Sequence, residues 1–511
     1  MITFSRRSFL AGAGCVTASC ALPDLLLGQS SSRSAIAYDP LRPSYHLLPP
    51  HNWMNDPNGP IWWKGKYHLF YQLNPHAAVW GDMHWGHAVS TDLVHWRREP
   101  IALAPTPGGP DSEGCFSGSA VVFDGVPTFI YTGVQNAPRA QATIRDGDNH
   151  LRETQLLATA EDDSLLQWKK RAEPVLATTP EGMDVTGFRD PCPWKEEDGW
   201  YLGVGSGEHG KGGCVLLYRS QDLRHWEYLH KLAEGTPTGK ETANPVDSGE
   251  MWECPDFFPL SGPPGTSPRH VLLYSTEGKS LWTTGHYDTK AHRYAADPTG
   301  QAWPLDHGAY YAPKSFLAPD GRRILWGWIQ ETRPQARYAA AGWAGAMSLP
   351  RVLSLDASGR LNLTPAKEIE SLRGLALRAE IHPESSFRHK LRHLRREIQI
   401  IADSPHSTLT VRLAVNGTEA WKLQFDGAAG TVTCGNITFT AAGSVDRPPE
   451  LRIFFDGSVI ESFVNATDAL TSRVYTVQPH ATELIVELSG PGSAQVQSWP
   501  MRAISLGRMT G

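Results

Sequence analysis

The sequence has 511 residues, enough for two or three domains, and its 47 Lys and Arg residues against 53 Asp and Glu residues give a formal net charge of -6. So small a net charge gives no indication of a polyanionic partner, and least of all of nucleic acid. Gly, Pro and Trp are frequent, at 48, 39 and 18 residues, and helical patterns are scarce, which predicts an all-β chain with many turns.

Residues 1–36 predict an export signal rather than a part of the fold. Ser5–Leu10 reads S-R-R-S-F-L, which resembles the twin-arginine signal, and an Ala- and Gly-rich run follows it to about Gly28. We therefore expect a protein that is exported to the periplasm or secreted. No later stretch has the ~20 apolar residues that a membrane-spanning helix needs, so no membrane span is expected. Cys20 follows Thr-Ala-Ser, a poor context for lipid attachment, and anchoring stays open.

Seven cysteines are scattered along the chain, and five remain once the leader is removed. These five are Cys115, Cys192, Cys214, Cys254 and Cys434. An odd, scattered set predicts neither a disulfide framework nor a metal site.

The first strand pattern after the leader carries an unusual corner. His51–Pro60 reads H-N-W-M-N-D-P-N-G-P and places Asp56 directly before a proline. Proline fixes φ, and Asn and Gly tolerate unusual backbone angles, so the pattern predicts a carboxylate on a stiff turn. Strand patterns on both sides of Lys64–Lys66 would anchor this turn to a sheet. An ordinary Asx-type turn at the surface is the alternative.

A repeated turn divides the next 300 or so residues. Ser90–Trp96, S-T-D-L-V-H-W, recurs as S-Q-D-L-R-H-W at Ser220–Trp226, and a stretched copy lies at Glu161–Trp168. Each copy follows a strand pattern, and irregular units of about 60 to 70 residues with a buried Trp are typical of propeller blades. We therefore predict a β-propeller over residues 37–355. A β-sandwich with similar hairpin turns is the alternative.

A second region follows the propeller. Residues 356–380 are predicted as a linker, in which K-E-I-E-S-L-R is a candidate short helix, and residues 381–511 as a second domain. Strand patterns there alternate with period two at regular spacing, which favours a β-sandwich. Asp456–Gly457 predicts a hairpin turn.

Two further carboxylates have rigid and unusual contexts. Phe188–Pro191 again places an Asp, Asp190, before a proline, with Arg189 beside it to keep the carboxylate ionised. Glu253 lies among Trp, Cys, Pro and Phe, and this apolar setting predicts a carboxyl that holds a proton near neutral pH, whereas Asp56 suits a nucleophile. A single acidic residue is ordinarily a surface charge or a turn cap. Three of them, each in a different predicted blade, would converge near a propeller axis.

Together these motifs resemble glycoside hydrolase family 32, the β-fructofuranosidases, which includes invertases, levanases and inulinases. The strings stand in family order: W-M-N-D-P-N-G at Trp53–Gly59, F-S-G-S-A at Phe116–Ala120, F-R-D-P at Phe188–Pro191 and W-E-C-P-D at Trp252–Asp256. The resemblance runs from about Tyr45 to the C-terminus, since R-I-F-F-D-G-S-V-I-E-S-F-V-N is similar to the hallmark of the family's C-terminal domain. It implies an all-β fold, a five-bladed β-propeller followed by a C-terminal β-sandwich.

The resemblance also implies roles for individual residues. Asp56 matches the nucleophile, Glu253 the general acid/base, and Asp190 the carboxylate that holds fructose hydroxyls and stabilises the transition state. The implied reaction is retaining, exo-acting hydrolysis of terminal β-D-fructofuranosides by double displacement, with no metal or organic cofactor. The residues that match the fructose pocket are Asn55, Gln72, Trp80, Phe116, Ser117 and Arg189. For Trp80 and Phe116, simple core packing is the alternative.

The substrate stays open between sucrose and inulin- or levan-type fructans. Asp306, in L-D-H-G-A-Y-Y, matches a plant-invertase residue that helps to hold the glucose of sucrose, but Ala309 stands where its Lys partner is expected. A fructosyltransferase with the same three carboxylates, a propeller glycosidase acting on arabinan or xylan, and a non-catalytic fructan-binding propeller are the alternatives. The expected partner is a small or polymeric fructoside, and a monomer and a homodimer are both open.

Overall fold

The computed structural model describes residues 36–146, 149–297, 302–443 and 447–505. Strands in these ranges form seven sheets, five of them in the first part of the chain and two in the C-terminal part. The predicted export signal lies outside the described residues apart from Ile36 and stays a prediction. No described helix is long and apolar enough to cross a membrane.

Each of the first five sheets is one blade. Blade 1 contains β1 (Asn52–Trp63), β2 (Lys66–Asn74), β3 (His84–Ser90) and β4 (Trp96–Leu103). Blade 2 contains β5 (Gly114–Phe123), β6 (Val126–Asn136), β7 (Ile144–Asp146), β8 (Asn149–Ala160) and β9 (Trp168–Lys170), with a 3-10 helix at Arg139–Gln141. Blade 3 contains β10 (Val185–Glu196), β11 (Gly199–Glu208), β12 (Gly212–Ser220) and β13 (Glu227–Glu234).

Blades 4 and 5 follow in the same way. Blade 4 contains β14 (Glu253–Leu260), β15 (Arg269–Thr276), β16 (Lys279–Asp288), β17 (Arg293–Ala296) and β18 (Trp303–Pro304). Blade 5 begins with β19 (Tyr310–Leu317) and β20 (Arg323–Ile329), after which come helix α1 (Gln335–Ala341) and the short strand β21 (Trp343–Ala344). It is completed by β22 (Ala346–Met347), β23 (Arg351–Leu355) and β24 (Leu361–Pro365).

The innermost strands of the blades close a ring. They are β1, β5, β10, β14 and β19; each contacts the next, and β19 contacts β1. Strand β21 pairs in parallel with β1, so the chain that leaves β20 adds a fifth strand to blade 1. The predicted five-bladed propeller is therefore confirmed, and the ring places one strand of every blade next to the central axis.

The repeated turn has a common geometry in blades 1, 2 and 3. In blade 1, Asp92 accepts hydrogen bonds from the backbone N–H groups two and three residues later, and the indole of Trp96 donates to the Leu93 carbonyl at 3.1 Å. Asp222 in blade 3 repeats these backbone contacts, and Asp162 in the stretched copy reaches N–H groups up to five residues later. The repeat is therefore a side-chain-stabilised turn that leads into the outermost strand of a blade.

The C-terminal part is a sandwich of two six-stranded sheets. In order across the sheet, the first contains β25 (Leu377–Ile381), β36 (Ala494–Pro500), β27 (Arg395–Ala402), β32 (Glu450–Asp456), β33 (Val459–Val464) and β34 (Asp468–Arg473). The second contains β26 (Ser386–Leu391), β35 (Thr482–Ser489), β28 (Thr408–Val415), β29 (Thr418–Asp426), β30 (Thr431–Cys434) and β31 (Ile437–Thr440). Their inner faces share one hydrophobic core, as the period-two pattern predicts.

The sheets end at other residues than the sequence suggests. Strand β24 pairs with β23, so blade 5 extends to Pro365 rather than to residue 355. Strand β25 pairs with β36, so the sandwich begins at Leu377 rather than at residue 381. Between them the candidate helix forms as a 3-10 helix, Lys367–Leu372. Both ends of the predicted linker therefore belong to sheets, because β24 pairs with β23 and β25 pairs with β36.

Aromatic side chains fill the spaces between neighbouring blades. Between blades 1 and 2, Trp85 and Phe70 pack against Phe129 and Tyr131, and Trp168 stacks on Phe129 with ring centroids 3.5 Å apart. Apolar clusters also join each following pair of blades. Because a buried aromatic ring removes a large apolar area from water, many of the tryptophans serve blade packing rather than ligand binding.

The sandwich holds the segment that enters β1. Asp456, at the β32–β33 turn, accepts hydrogen bonds from the backbone N–H groups of Ser44, Tyr45 and His46 and from the His46 ring, at 2.7 to 3.1 Å. The other ring nitrogen of His46 lies 3.0 Å from Glu461. Burial by itself lowers the pKa of His46, but hydrogen bonds to Asp456 and Glu461 outweigh it and raise that pKa to about 9.

Glu461 also ties the sandwich to blade 5. It accepts hydrogen bonds from Arg351 Nη2 at 2.5 Å and from the Leu349 N–H at 2.7 Å, and Arg351 reaches Asp306 at 2.9 Å. The side chains of Arg351, Asp306 and Glu461 are fully buried. Breaking a buried ion pair by removing one partner is costly, so the propeller and the sandwich depend on each other for stability.

We expect the protein to lose stability as the pH rises from about 6.5 through 9. A histidine whose pKa is raised by folding contributes its full stabilisation below its unfolded value and loses it above the folded value, here about 3 kcal/mol of the free energy of unfolding. Denaturant titrations at several pH values should show this slope in the parent and a reduced slope in His46→Gln. The exposed His225→Gln serves as control and should keep the slope. Equal slopes for the parent and His46→Gln would contradict the prediction.

Candidate active site

Each innermost strand departs from regular pairing with its neighbour. The register shifts lie between Met54 and Pro57, Cys115 and Gly118, Arg189 and Cys192, Glu253 and Asp256, and Tyr311 and Lys314. Asp190, Cys254 and Ala312 have left-handed backbone conformations, with φ of 63°, 50° and 51°. Bulges of this kind re-aim side chains that a regular strand would send to the other face. They bring polar groups from different blades together at the ring.

Asp56 is held by donors from its own blade and from the next. Its two carboxylate oxygens accept hydrogen bonds from Asn55 Nδ2 at 3.0 Å and from Ser117 Oγ at 2.7 Å. Asn55 is in turn fixed by the indole of Trp53 at 2.7 Å. Burial raises the pKa of Asp56, while the Ser117 and Asn55 hydrogen bonds oppose that rise. Asp56 is thus an oriented carboxylate with part of its surface exposed.

Asp190 lies beside Asp56 on the far side of one thiol. The Cys254 sulfur is 3.4 Å from Asp56 Oδ2 and 3.5 Å from Asp190 Oδ2, and the Cys254 N–H donates to Asp190 at 2.9 Å. Burial raises the pKa of Asp190 to about 7, with the nearby charges of Glu253 and Asp56 acting in the same direction and that of Arg189 against it. Arg189 favours the ionised carboxylate, as expected, but burial outweighs this attraction, so the net shift in the pKa of Asp190 is upward.

Glu253 is anchored by a guanidinium and a phenol. Its Oε1 accepts hydrogen bonds from Arg189 Nε and Nη2 at 3.1 and 2.8 Å, and its Oε2 accepts one from the Tyr311 hydroxyl at 2.7 Å. Arg189 also pairs with Glu153 of blade 2 at 3.0 Å. The setting of Glu253 is buried, as expected, but it is polar rather than apolar.

An aromatic wall flanks the carboxylates. Phe116 packs with Trp53 and with Tyr338 of helix α1 in one cluster, to which Trp80 and Trp328 add partly buried rings. Trp80 meets Phe116 edge to face, with ring centroids 5.9 Å apart. Both predicted aromatics therefore belong to this wall, where Trp80 keeps part of its surface exposed.

Gln72 and Asp306, two of the predicted substrate-binding residues, make structural contacts instead. Gln72 is buried and donates to the Cys115 carbonyl at 2.9 Å, so it ties β2 to the segment that carries Phe116 and Ser117. Asp306 lies at the propeller–sandwich interface, where it accepts hydrogen bonds from Arg351 and from Thr471. Its side chain has no exposed surface, so its predicted contact with substrate is corrected to a structural role.

Three residues at the site escaped the sequence analysis. Glu153 and Tyr311 contact Arg189 and Glu253, respectively, and the Cys254 thiol contacts two carboxylates. The sequence held partial signals, since Glu153 directly precedes the strand pattern T-Q-L-L-A-T-A and Tyr311 lies at the start of β19. Neither signal says which partner the side chain meets across a blade boundary.

One group of potential metal ligands occurs among the described residues, and it lies outside the carboxylate cluster. His76, Asp82 and His84 come together around the β2–β3 loop. At the cluster itself, a partly exposed carboxylate and a second carboxylate anchored by an arginine supply the two groups that nucleophilic and acid/base catalysis require.

Both domains match family models. The model described as Glycosyl hydrolases family 32 N-terminal domain matches residues 46–365, and the model described as Glycosyl hydrolases family 32 C terminal matches residues 374–500. Sucrose-6-phosphate hydrolase of Escherichia coli is 36% identical over 479 residues, which cover 86% of this chain and 91% of that protein. Raffinose invertase of Escherichia coli is 36% identical over 465 residues, which cover 85% of this chain and 89% of that protein.

Solved structures show the same architecture. Fructan 1-exohydrolase IIa from Cichorium intybus superposes with a TM-score of 0.75 at 29% identity, covering 91% of this chain and 98% of that chain. The β-fructofuranosidase BmSUC1 of Bombyx mori also superposes with a TM-score of 0.75 at 29% identity, covering 93% of this chain and 99% of that chain.

We expect Asp190→Asn to raise the thermal unfolding midpoint, by more at pH 8 than at pH 5. The pKa of Asp190 is about 7 in the folded protein and about 3.9 in an unfolded chain, so its ionisation costs the fold stability as the pH rises from about 4 to 7. Asn can still accept the Cys254 N–H but carries no charge. Differential scanning calorimetry of the parent, this variant and the exposed control Asp163→Asn measures the effect. A midpoint gain that does not depend on pH would contradict it.

Proposed function

This chain belongs to glycoside hydrolase family 32 and is a glycoside hydrolase that acts on β-fructosides, and from that premise we propose that it is an exo-acting, retaining β-fructofuranosidase. The observation that carries the proposal is the convergence of Asp56, Asp190 and Glu253, from blades 1, 3 and 4, on one site. A retaining glycosidase needs a nucleophilic carboxylate and a second carboxyl that serves first as acid and then as base.

In the first step, Asp56 attacks the anomeric carbon of fructose while Glu253 gives its proton to the glycosidic oxygen. The hydrogen bonds from Asn55 and Ser117 fix the orientation of the Asp56 carboxylate, so little rearrangement is needed before attack. The C–O bond to the leaving sugar breaks as the bond from Asp56 to the anomeric carbon forms.

In the second step, Glu253 takes a proton from water, and that water displaces Asp56 from the anomeric carbon. Two inversions give net retention of configuration. Asp190 stands beside both partners and is placed to bind fructose hydroxyls and to stabilise the positive charge that develops on the ring. Arg189 and Tyr311 hold Glu253 in place through both steps.

Sucrose and inulin- or levan-type fructans are the proposed substrates. Sucrose-6-phosphate hydrolase and raffinose invertase are names of relatives, and one structural neighbour is named a fructan 1-exohydrolase, which supports release of terminal fructose. Asp306 is engaged with Arg351 and Thr471, and Ala309 offers no cation, so the plant-type contact to glucose is not repeated by this pair. We therefore expect the non-fructose part of the substrate to be recognised by other residues.

Fructose release from sucrose, sucrose 6-phosphate, inulin and levan tests the activity, with Glu253→Gln beside the parent. A general acid contributes roughly 10²- to 10⁴-fold, so kcat on these unactivated substrates should fall by at least a hundredfold. The exposed Glu227→Gln is the matched control and should keep parental rates. In dilute methanol, NMR should identify methyl β-D-fructofuranoside, the retained product.

Other outcomes favour the alternatives. Chain lengthening of sucrose in place of fructose release would indicate a fructosyltransferase with the same carboxylates. Binding of fructan without turnover by the parent would indicate a non-catalytic propeller, and release of the inverted methyl fructoside would contradict the double displacement.

We expect Glu153→Gln to shift the pH profile rather than only to lower activity. Arg189 pairs with both Glu153 and Glu253, and without the Glu153 charge it should hold the ionised form of the acid Glu253 more strongly. The alkaline limb of kcat/KM should therefore move to lower pH. Asp56, Asp190, Cys254 and Tyr311 also face Glu253 and are unchanged in the variant. An unshifted profile at reduced rate would show that Glu153 serves packing alone.

A further inference from the structure

Three potential metal ligands meet beside Trp80 of the aromatic wall. The loop between β2 and β3 carries His76 and Asp82, and His84 begins β3; one ring nitrogen of each histidine and one oxygen of Asp82 lie within 4.8 Å of one another. The proposed reaction uses none of the three. We propose that they bind one divalent transition-metal ion, with Zn²⁺ as the best match to the donor set.

The distances suit such an ion. His76 Nε2 lies 3.2 Å from Asp82 Oδ2. Two ligands bound about 2.0 to 2.2 Å from a tetrahedral zinc ion are separated by about 3.4 Å, so this pair needs little movement to accept the metal. His84 Nδ1 lies 2.7 Å from the Asp82 carbonyl oxygen and 3.8 Å from Asp82 Oδ1, so the His84 ring is already held beside the Asp82 carboxylate. Histidines that bind metals are commonly oriented by a hydrogen bond of this kind.

The loop is held in shape by contacts that do not involve these side chains. Asn74 Oδ1 accepts the N–H of His76 at 2.9 Å, and the Cys115 N–H donates to the Met83 carbonyl at 2.8 Å. Asp82 has a left-handed backbone, with φ of 46°. Asp adopts this conformation more readily than most residues, so Asp82 fits the turn at low cost.

The donor set and its exposure decide which ion fits. Two imidazoles and one carboxylate suit zinc, whereas Ca²⁺ and Mg²⁺ prefer oxygen ligands. His76 and Asp82 are open to solvent, at 71% and 47% side-chain exposure, while His84 is nearly buried at 11%, so an ion could enter from the solvent side onto a fixed anchor. Three protein ligands leave a coordination position for water.

The ion would act as a clamp on the loop. It would join the start of the loop at His76 to its end at Asp82 and His84, and Trp80 of the aromatic wall lies between these points. Since a ligand that binds only the folded state stabilises it, Zn²⁺ should also stabilise the whole chain.

Isothermal titration of the chelator-treated protein with ZnCl₂ tests the proposal. We expect one ion per chain, a rise of several degrees in the unfolding midpoint at saturating Zn²⁺, and, with Co²⁺ in its place, the strong visible absorption of a four-coordinate site. His76→Ala and Asp82→Asn should each weaken Zn²⁺ binding at least tenfold; Asn tolerates the left-handed backbone at position 82.

The control is His225→Ala. His225 forms a similar exposed pair with Asp222, at 2.7 Å, that belongs to no group of three ligands, so this variant should bind Zn²⁺ like the parent. Absence of one-to-one binding in the parent, undiminished binding in both His76→Ala and Asp82→Asn, or equal binding of Ca²⁺ would each overturn the proposal. None of these readouts depends on catalytic activity.

Discussion

The site depends on one irregularity in the innermost strands of the blades. A regular strand sends alternate side chains to opposite faces, and there Asp190 and the backbone of Cys254 could not meet. Left-handed residues in β10 and β14 remove this restriction, and the Cys254 N–H then donates to Asp190 across the blade boundary. Such residues cost about 1 to 3 kcal/mol each and persist only where surrounding contacts impose them. The closed ring of five strands supplies those contacts.

Positive charge is scarce beside the carboxylates that the ring of strands brings together. Arg189 divides its guanidinium between Glu153 and Glu253 and does not hydrogen-bond to Asp190, whose pKa is raised by burial. Because burial raises the pKa of Asp190, ionisation of this carboxyl costs the folded protein stability. The buried carboxyls of the site therefore lower the stability of the fold, as expected from the trade-off between stability and activity.

The interface between the two domains fixes the segment of chain that leads into β1. Asp456 caps three backbone N–H groups ahead of β1, and Glu461 pairs with Arg351 and His46. The string D-G-S-V-I-E thus supplies two acidic residues of the interface, Asp456 and Glu461, from a single hairpin. Its role is to fix the sandwich against the propeller, and the β1 corner that carries Asp56 follows directly from the segment it holds. Stability of the interface and geometry of the site are linked through this short stretch of chain.

The class of fold, the two domains and the three carboxylates of the candidate site could all be predicted from the sequence. The repeated turn marks blades because its Asp and Trp make local contacts, and the motifs around Asp56, Asp190 and Glu253 each lie within a few residues. The side-chain contacts between blades and between domains became visible only in the folded structure. There Arg189 pairs with Glu253 and Glu153, and the Tyr311 hydroxyl donates to Glu253. Asp306, predicted to contact substrate, pairs with Arg351 instead. These contacts join residues far apart in the chain, and bulges and sheet pairing set their directions, which no local pattern encodes.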